Sequence, residues 1–447
     1  MKIFYYTLGC KVNHYETEAL KEKFKLLGHK AVKSIKEADA AVVNSCTVTG
    51  QANLKCRQIL HKIKRQNQNC ILILTGCFPQ AFESEVRGFE FCDIICGSSN
   101  KMNIPNMLLD FINVNNIDGN GNRKQIISIE KHLKNDKIED MLISGYENKT
   151  RANVKIQDGC DQYCTYCIIP YARGHIRSKG LEEIKNEITG LAKNGHKEII
   201  LVGINLCCYG KDLEGDIRLI DAIETACSID GIERVRLGSI EPEMISDRDI
   251  ERMSKLKKLC PQFHLSLQSG CDKTLKEMNR KYTSAEYEAL CKKLRKSFPD
   301  CALTTDVMVG FPGESDKDFK ESLNFVKKIK FAKVHIFPYS KREGTIAAKR
   351  DDQIKNSEKE KRAKTMEYEC IKASNEFLNS QIGKIFPVLF EKEKSPDYFE
   401  GHTPNFTFVK IPKKNLKIPQ NSLRKTILYV KIEKAEKNYC IGSFVDD

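Results

Sequence analysis

Along residues 1 to about 110, short apolar runs alternate with stretches whose apolar residues return every three to four positions. KIFYYT, DAAVVN and CILILT carry the strand pattern, whereas YETEALKEKFKLLG, closed by Gly28, and ANLKCRQILHKIKR carry the helical one. This alternation predicts an α/β domain built on a parallel sheet. Residues 112–150 are rich in Asn, Lys and Gly and read as a linker with room for one short strand. From 151 the alternation resumes, with strands predicted at ANVKIQ, EIILVG, ERVRLGS, FHLSLQ, ALTTDVMVGF and KVHIFPY and helical segments between them. Six βα units predict a partial (β/α) barrel over 151–353, with its chemistry on the loops that follow the strands. Residues 354–379 read as a connecting, charged helix. Beyond them KIFPVLFEKE, FTFVKIP, KTILYVKIEKAE and CIGSFV alternate apolar and polar residues, which predicts a small antiparallel β-barrel over 380–447.

A chain of 447 residues and 51.0 kDa is too long for one ordinary core, in keeping with this division. Nineteen cysteines would suit a secreted, disulfide-linked chain. MKIFYYTLGC, however, lacks a basic-then-apolar leader. No uncharged apolar run approaches the roughly 18 residues of a membrane helix, so no membrane association is expected. The expectation is a soluble, cytoplasmic protein whose reduced thiols gather around metal. Lys and Arg outnumber Asp and Glu by 74 to 60, a net charge of +14, which favours a polyanionic partner over a merely solvated basic surface.

The placement of the cysteines sharpens this. Cys10, Cys46 and Cys77 each lie just past the C-terminal end of one of the first three strands, in TLGC, VVNSC and ILTGC. In a parallel sheet those ends share one edge, where open α/β sheets bind ligands. A second group, Cys160, Cys164 and Cys167 in GCDQYCTYC, falls in the first loop of the predicted barrel. Structural zinc takes four ligands, and so does an electron-transfer cubane. Three thiolates therefore point to an iron-sulfur cluster with one open iron, the alternative being zinc completed by a residue such as His175. Tyr166 stands beside the last cysteine, positioned to pack against a ligand or to serve as core.

CDQYCTYC resembles the CxxxCxxC signature of the radical S-adenosylmethionine superfamily, and VKIQDGCDQYCTYCIIPYARG resembles the methylthiotransferases within it. TLGCKVN, VNSCTVT and LTGC resemble that family's N-terminal domain, LQSG, VGFPGE and FPYSKREGT its barrel motifs, and the C-terminal module its TRAM domain. TLGCKVN with KIQDGC is most similar to the branch that modifies threonylcarbamoyladenosine in tRNA, as against isopentenyladenosine. Phe78-Pro79 after Cys77 departs from the family pattern. The resemblance implies two 4Fe-4S clusters, an auxiliary one on Cys10, Cys46 and Cys77 and a second on Cys160, Cys164 and Cys167. It further implies two molecules of S-adenosylmethionine, one giving a methyl group to sulfur and one cleaved to a 5′-deoxyadenosyl radical that attacks carbon 2 of adenine. It also implies a tRNA partner and a low-potential electron donor such as flavodoxin or ferredoxin. An iron-sulfur RNA-binding or electron-carrier protein without turnover is the reading from another class.

Lesser candidates are the tight turn Gly310, Phe311, Pro312, Gly313 and Glu314, whose backbone could approach a cofactor. Arg173 is a carboxylate or phosphate contact in this reading, and Gln268, at the end of FHLSLQ, a hydrogen-bond partner of the cofactor. Lys410, Lys413, Lys414 and Lys417 are candidate phosphate contacts, with Phe406 or Phe408 for base stacking. Cys56, Cys70, Cys92, Cys207, Cys208, Cys271 and the remaining cysteines show no ligand pattern, and most read as small buried hydrophobes, while the pair Cys207-Cys208, in a loop after a strand, takes no assignment.

Overall fold

The computed structural model describes residues 1–117, 123–146, 149–413, 419 and 422–445. Strand β1 (Lys2–Thr7) is followed by α1 (Lys11–Leu26), β2 (Lys30–Val32), β3 (Ala40–Ser45), α2 (Gly50–Gln66) and β4 (Ile71–Gly76). Short helices α3 (Cys77–Ala81) and α4 (Glu83–Val86) lead to β5 (Ile94–Cys96), α5 (Ile104–Ile117) and β6 (Ile126–Ser128). These strands form one parallel sheet in the order β2-β1-β3-β4-β5-β6. Apolar groups cover both faces. Leu60 and Ile63 of α2 pack on one side, and Leu20 and Phe24 of α1 with Leu108 of α5 pack on the other. Strand β3 is buried from end to end, which is why AAVVNS shows a continuous apolar run with no alternation. The sheet also takes β6 from the Asn-rich stretch after residue 111, pairing Ile94 with Ile126.

The second unit runs through β7 (Arg151–Lys155), β8 (Gln157–Asp158), α6 (Ile169–Arg173), β9 (Arg177–Ser178), α7 (Leu181–Lys193) and β10 (Glu198–Val202). It continues with α8 (Leu219–Ser228), β11 (Arg234–Leu237), β12 (Ser239–Ile240), α9 (Asp247–Ser254) and β13 (Gln262–Gln268). Helices α10 (Asp272–Glu277) and α11 (Ser284–Ser297), β14 (Ala302–Val309), α12 (Asp316–Ile329) and β15 (Lys333–Pro338) complete it. Parallel pairing joins β7 to β10 and β11, and β12 to β13, β14 and β15, so six strand paths curve into an open barrel. Capping boxes start three of its helices, with Ser246, Thr283 and Ser315 answered by Asp249, Glu286 and Asp318.

Side-chain alternation divides each strand of this barrel. Val154, Leu201, Leu237, Leu265, Val307 and Ile336 join the core beneath the helices. Their neighbours Lys155, Ile200, Arg236, His264, Asp306 and His335 therefore line the inner face. A barrel interior this polar is built to receive something, since burying unpaired polar groups is costly.

Helix α13 (Asn356–Asn379) then leads to β16 (Ile385–Phe390), β17 (Tyr398–His402), β18 (Phe408–Pro412), β19 (Ile427–Ala435) and β20 (Cys440–Phe444). They close into a barrel in the order β16-β17-β18-β20-β19 around Val388, Phe390, Phe399, Val409 and Val430. The β18–β20 pair is parallel, and the other pairs are antiparallel. The module seats against the N-terminal ends of the larger barrel's strands. There Arg151 meets Glu391 at 2.6 Å, and Arg234 donates to the carbonyl oxygen of His402 at 3.1 Å. Among the described residues no helix is long and apolar enough to cross a membrane.

At that junction sits Glu198. Burial by itself would raise its pKa, but Arg236, Arg151 and Arg234 overcome it and hold the carboxyl down to about 2. A depressed folded-state pKa adds stability above the unfolded value near ~4.3 and loses it as pH falls toward the folded one. Unfolding midpoints in urea should therefore drop between about pH 4 and 2. Glu198→Gln should start lower and flatten this acid limb; an unchanged acid limb would show that the network does not stabilise the fold.

Candidate functional site

The joint between the two α/β units brings the strand-end cysteines together. Gly9, with φ +105°, precedes Cys10, and a Cβ there would come within 2.7 Å of the Cys46 Cβ. Only glycine lets the β1 turn approach the β3 turn so closely. Cys77 opens α3, with Phe78 fully buried behind it and Pro79 in the first turn, where a missing N–H costs nothing. The thiols of Cys10, Cys46 and Cys77 act on one another electrostatically. Burial pushes the Cys46 thiol up to about 11 and raises that of Cys10.

The second triad lies on the loop between β8 and α6. Gly159 makes room for it: φ is +75°, and a Cβ there would lie 1.7 Å from the carbonyl oxygen of His175. The loop is anchored from the NRKYT side, with Thr165 N–H donating to the carbonyl of Met278 at 3.1 Å and Asn279 Nδ2 to that of Tyr163 at 3.1 Å. Arg280 Nη1 donates to Cys164 Sγ at 3.4 Å, and Asn205 Nδ2 approaches Cys160 Sγ at 3.9 Å. Burial raises these thiols, Cys160 to about 11 and Cys167 to about 12. Metal binds the thiolate, so loading either triad displaces protons.

The donor set fits iron-sulfur clusters. Each triad is three soft thiols with hydrogen-bond donors aimed at sulfur, the outer-shell arrangement that steadies a cluster. Among the described residues no three of His, Cys, Asp or Glu stand close enough to clasp a single ion, and a four-iron cluster spans more room between its sulfurs. His175, the alternative zinc ligand, is engaged with Asp161 at 2.7 Å.

The other sequence candidates fall into two groups. Tyr166 packs edge-on against Phe311, with ring centroids 6.5 Å apart, next to Cys167. Gln268 is held at φ +66° with its Oε1 buried and unpartnered, and Asn205 Oδ1 is in the same condition. Asn205 stands beside Cys160, and an orphaned acceptor there suits a ligand that brings a donor. Arg173, by contrast, sits on the other triad. Fully buried, it donates to Cys77 Sγ at 3.1 Å and Asn13 Oδ1 at 2.5 Å, and it pairs with Glu16 and Asp158.

The Gly310–Glu314 turn faces α13. Glu314 accepts from the Gly310 N–H at 2.7 Å and pairs with Arg362 at 2.7 Å, while Gly313 lies against Arg350 and Asp352. In the small barrel Lys410 pairs with Glu400 at 3.3 Å and Lys413 with Glu393 at 2.5 Å. Phe408 lies near His402, and Phe406 stacks on it at 4.4 Å. Lys414 and Lys417 lie outside the described residues.

Sequence reading missed Asn13, Glu16, Arg280 and Arg342. Asn13 lies within TLGCKVN, and its amide donates to the Leu8 and Ser45 carbonyls, tying the Cys10 and Cys46 turns together. Arg342, in FPYSKREGT, donates to Thr47 Oγ1 at 2.8 Å beside Cys46. Motif position alone could have flagged both. Glu16 looks like one more polar helix residue until the domains meet.

An open six-path parallel barrel with a cysteine triad in its first loop, faced by a second parallel sheet with three strand-end cysteines, defines a radical S-adenosylmethionine enzyme with an added N-terminal domain. The "Radical SAM superfamily" model matches residues 154–326, and "Uncharacterized protein family UPF0004" matches 2–97. A Bacillus subtilis relative named threonylcarbamoyladenosine tRNA methylthiotransferase is 34% identical over 99% of this chain and 96% of its own. The like-named protein of Thermotoga maritima is 37% identical over 86% and 85%. A Clostridium botulinum relative, tRNA-2-methylthio-N(6)-dimethylallyladenosine synthase, is 38% identical over 89% and 87%. Among solved structures, the radical S-adenosylmethionine methyltransferase TsrM of Kitasatospora setae superposes with a TM-score of 0.57 at 12% identity, covering 78% of this chain and 77% of that one. The chain belongs to the tRNA methylthiotransferase family of the radical S-adenosylmethionine superfamily.

Gly195 and Gly159 separate backbone from contact cost, since both have positive φ but nothing lies within 4 Å of a Cβ at Gly195. Gly195→Ala should cost about 1 kcal/mol in urea unfolding. Gly159→Ala should exceed it by about 2 kcal/mol or more, because a carbonyl must move; equal losses would mean that the triad loop has slack.

Proposed function

We propose that this chain methylthiolates carbon 2 of threonylcarbamoyladenosine beside the anticodon of tRNA. The observation that carries the reading is the joint itself: two cysteine triads at the C-terminal edges of two parallel sheets, with Arg173 of the barrel donating to the Cys77 thiol of the other domain. In this reading Cys10, Cys46 and Cys77 hold an auxiliary 4Fe-4S cluster, and Cys160, Cys164 and Cys167 hold the one that receives S-adenosylmethionine. When bound, these cofactors supply the electron, radical and sulfur chemistry that no side chain can provide at an unactivated ring C–H.

The chain's own residues bind, orient and exclude water. Arg173 and Arg280 donate N–H groups to sulfur and are held in aim by Glu16 and Glu241. Gln268 offers its free acceptor, and Tyr166 forms an aromatic wall braced by Phe311. Gly310 and Glu314 brace the turn that carries Phe311 against Lys359 and Arg362 of α13, and Gly313 lies against Arg350 and Asp352. The TRAM-like barrel adds tRNA affinity, with twelve Lys and Arg against eight Asp and Glu over 380–447. A flavodoxin or ferredoxin supplies electrons, in the cytoplasm.

Mass spectrometry of tRNA nucleosides from cells with and without the gene tests this. Loss of methylthio-threonylcarbamoyladenosine with accumulation of its precursor is expected, and triple Ala replacement of Cys160, Cys164 and Cys167 should reproduce the deletion. Loss of the methylthio-isopentenyl nucleoside instead would move the substrate to the other branch; no change in either would remove the tRNA reading.

A further inference from the structure

Beneath the joint, the inner face of the open barrel ends in a group of cations with too few anions. Arg151 donates through Nε to Glu198 at 2.7 Å and pairs through Nη1 with Glu391 at 2.6 Å. Arg236 donates through Nε to Glu198 at 2.9 Å and through Nη1 to Gln262 Oε1 at 3.3 Å. The remaining guanidinium nitrogen of each, Nη2, is buried and has no hydrogen-bond partner among the described residues. The Arg236 side chain is 1% exposed, and that of Arg151 12%. Two orphaned, charged donors in one place are rare in a folded chain, because each forfeits a bond that water would otherwise supply.

A third cation, Lys11, stands exposed on the element above, whose next residue packs on Ile200, the sheet partner of Arg236. Lys11 is the residue after Cys10 and the first of α1. The charges that act on its amine are those of Arg236, Arg151 and Glu198. The next residue, Val12, packs on the inner-face residues Ile200 and Val202 of β10. The start of α1 thus roofs the inner face through Val12, with Lys11 between the Cys10 turn and that packing. From below, the Phe406 ring lies 5.1 Å from the Arg151 guanidinium and 4.6 Å from that of Arg236. The same ring, 42% exposed, also stacks on His402.

We infer that Arg151, Arg236 and Lys11 form a carboxylate-receiving site that reads the N6 substituent of the substrate adenine. The inference rests on the function proposed above. With carbon 2 of the ring turned to the two cysteine triads, N6 lies across N1 from the reacting carbon, so its substituent must be housed in the adjoining cavity. A threonylcarbamoyl group ends in a carboxylate, which accepts from both orphaned N–H groups and from the amine as charge-assisted bonds. An isopentenyl group offers no acceptor and leaves the buried donors unpaired, the condition under which a polar site rejects an apolar analogue. The three side chains set specificity by binding and take no part in the chemistry.

The test uses reconstituted, full-length enzyme and synthetic anticodon stem-loop RNAs carrying threonylcarbamoyladenosine, its carboxyl methyl ester, isopentenyladenosine or plain adenosine. Binding is followed by fluorescence anisotropy, and methylthiolation by mass spectrometry. Wild type should bind the acid at least about tenfold more tightly than the ester, as expected for loss of a charge-assisted contact. Lys11→Met and Arg236→Lys, each checked for iron content and circular dichroism, should close that gap between acid and ester to less than about threefold. Equal binding of acid and ester by wild type, or a gap that survives in Lys11→Met with iron content intact, overturns the site. Turnover of the isopentenyl RNA in preference to the acid overturns the function on which it rests.

Discussion

One buried carboxylate organises the meeting of the two large domains. Glu16, on the first helix, receives Arg173 from α6, Lys155 from β7 at 2.9 Å and Lys101 from the segment before α5. Lys155 and Arg173 also share Asp158. Burial opposes the charge of Glu16, but these three cations hold its carboxyl well below the usual range. Groups so desolvated tolerate little displacement, because a cation that drifts away leaves an unpaired charge in a poor solvent. The strand ends of one sheet are thereby held against the strand ends of the other, and Arg173 is left aimed at the Cys77 thiol.

The same construction recurs at the second triad. Arg280 is buried, pairs with Glu241 and donates to Cys164. Each group of thiols thus faces one arginine N–H, and a carboxylate fixes that arginine's direction. Hydrogen bonds to sulfur and burial are the means by which a protein sets the electronic character of an iron-sulfur site. Here both are present at both triads before any cofactor enters the account.

Polarity inside the open barrel follows from the same arrangement. Helices cover the outer face of every strand, so the alternating apolar residues go to that side and the inner positions are free to carry Lys155, Arg236, His264 and Asp306. Such a lining is unfavourable as core and suitable as a receptacle. The N-terminal domain roofs it through Val12, and the small barrel floors it through Phe406. The three domains together make a site that none of them makes alone.

Much of this was legible in the chain. Strand runs, helix periodicity and the spacing of Cys160, Cys164 and Cys167 are local patterns, legible because propensity and ligand type act over a few residues, whereas Cys10, Cys46 and Cys77 were legible only through their shared place at strand ends. KIQDGC announced a loop after a strand, and the structure has that loop, with Gly159 at the one position where a side chain cannot fit. What remained hidden depends on which side chain meets which across long separations. Arg173 suits a cofactor contact in isolation and reaches Cys77 only when two domains close on Glu16. Lys410 and Lys413 look free for phosphate until Glu400 and Glu393 face them across the barrel. Phe406 meets Arg151 and Arg236 only when the module docks on the larger barrel. Residue type and spacing determined the fold class and the chemistry of the thiols; tertiary packing alone decided where each charge is compensated, because compensation depends on distance in space and the chain records only distance along itself.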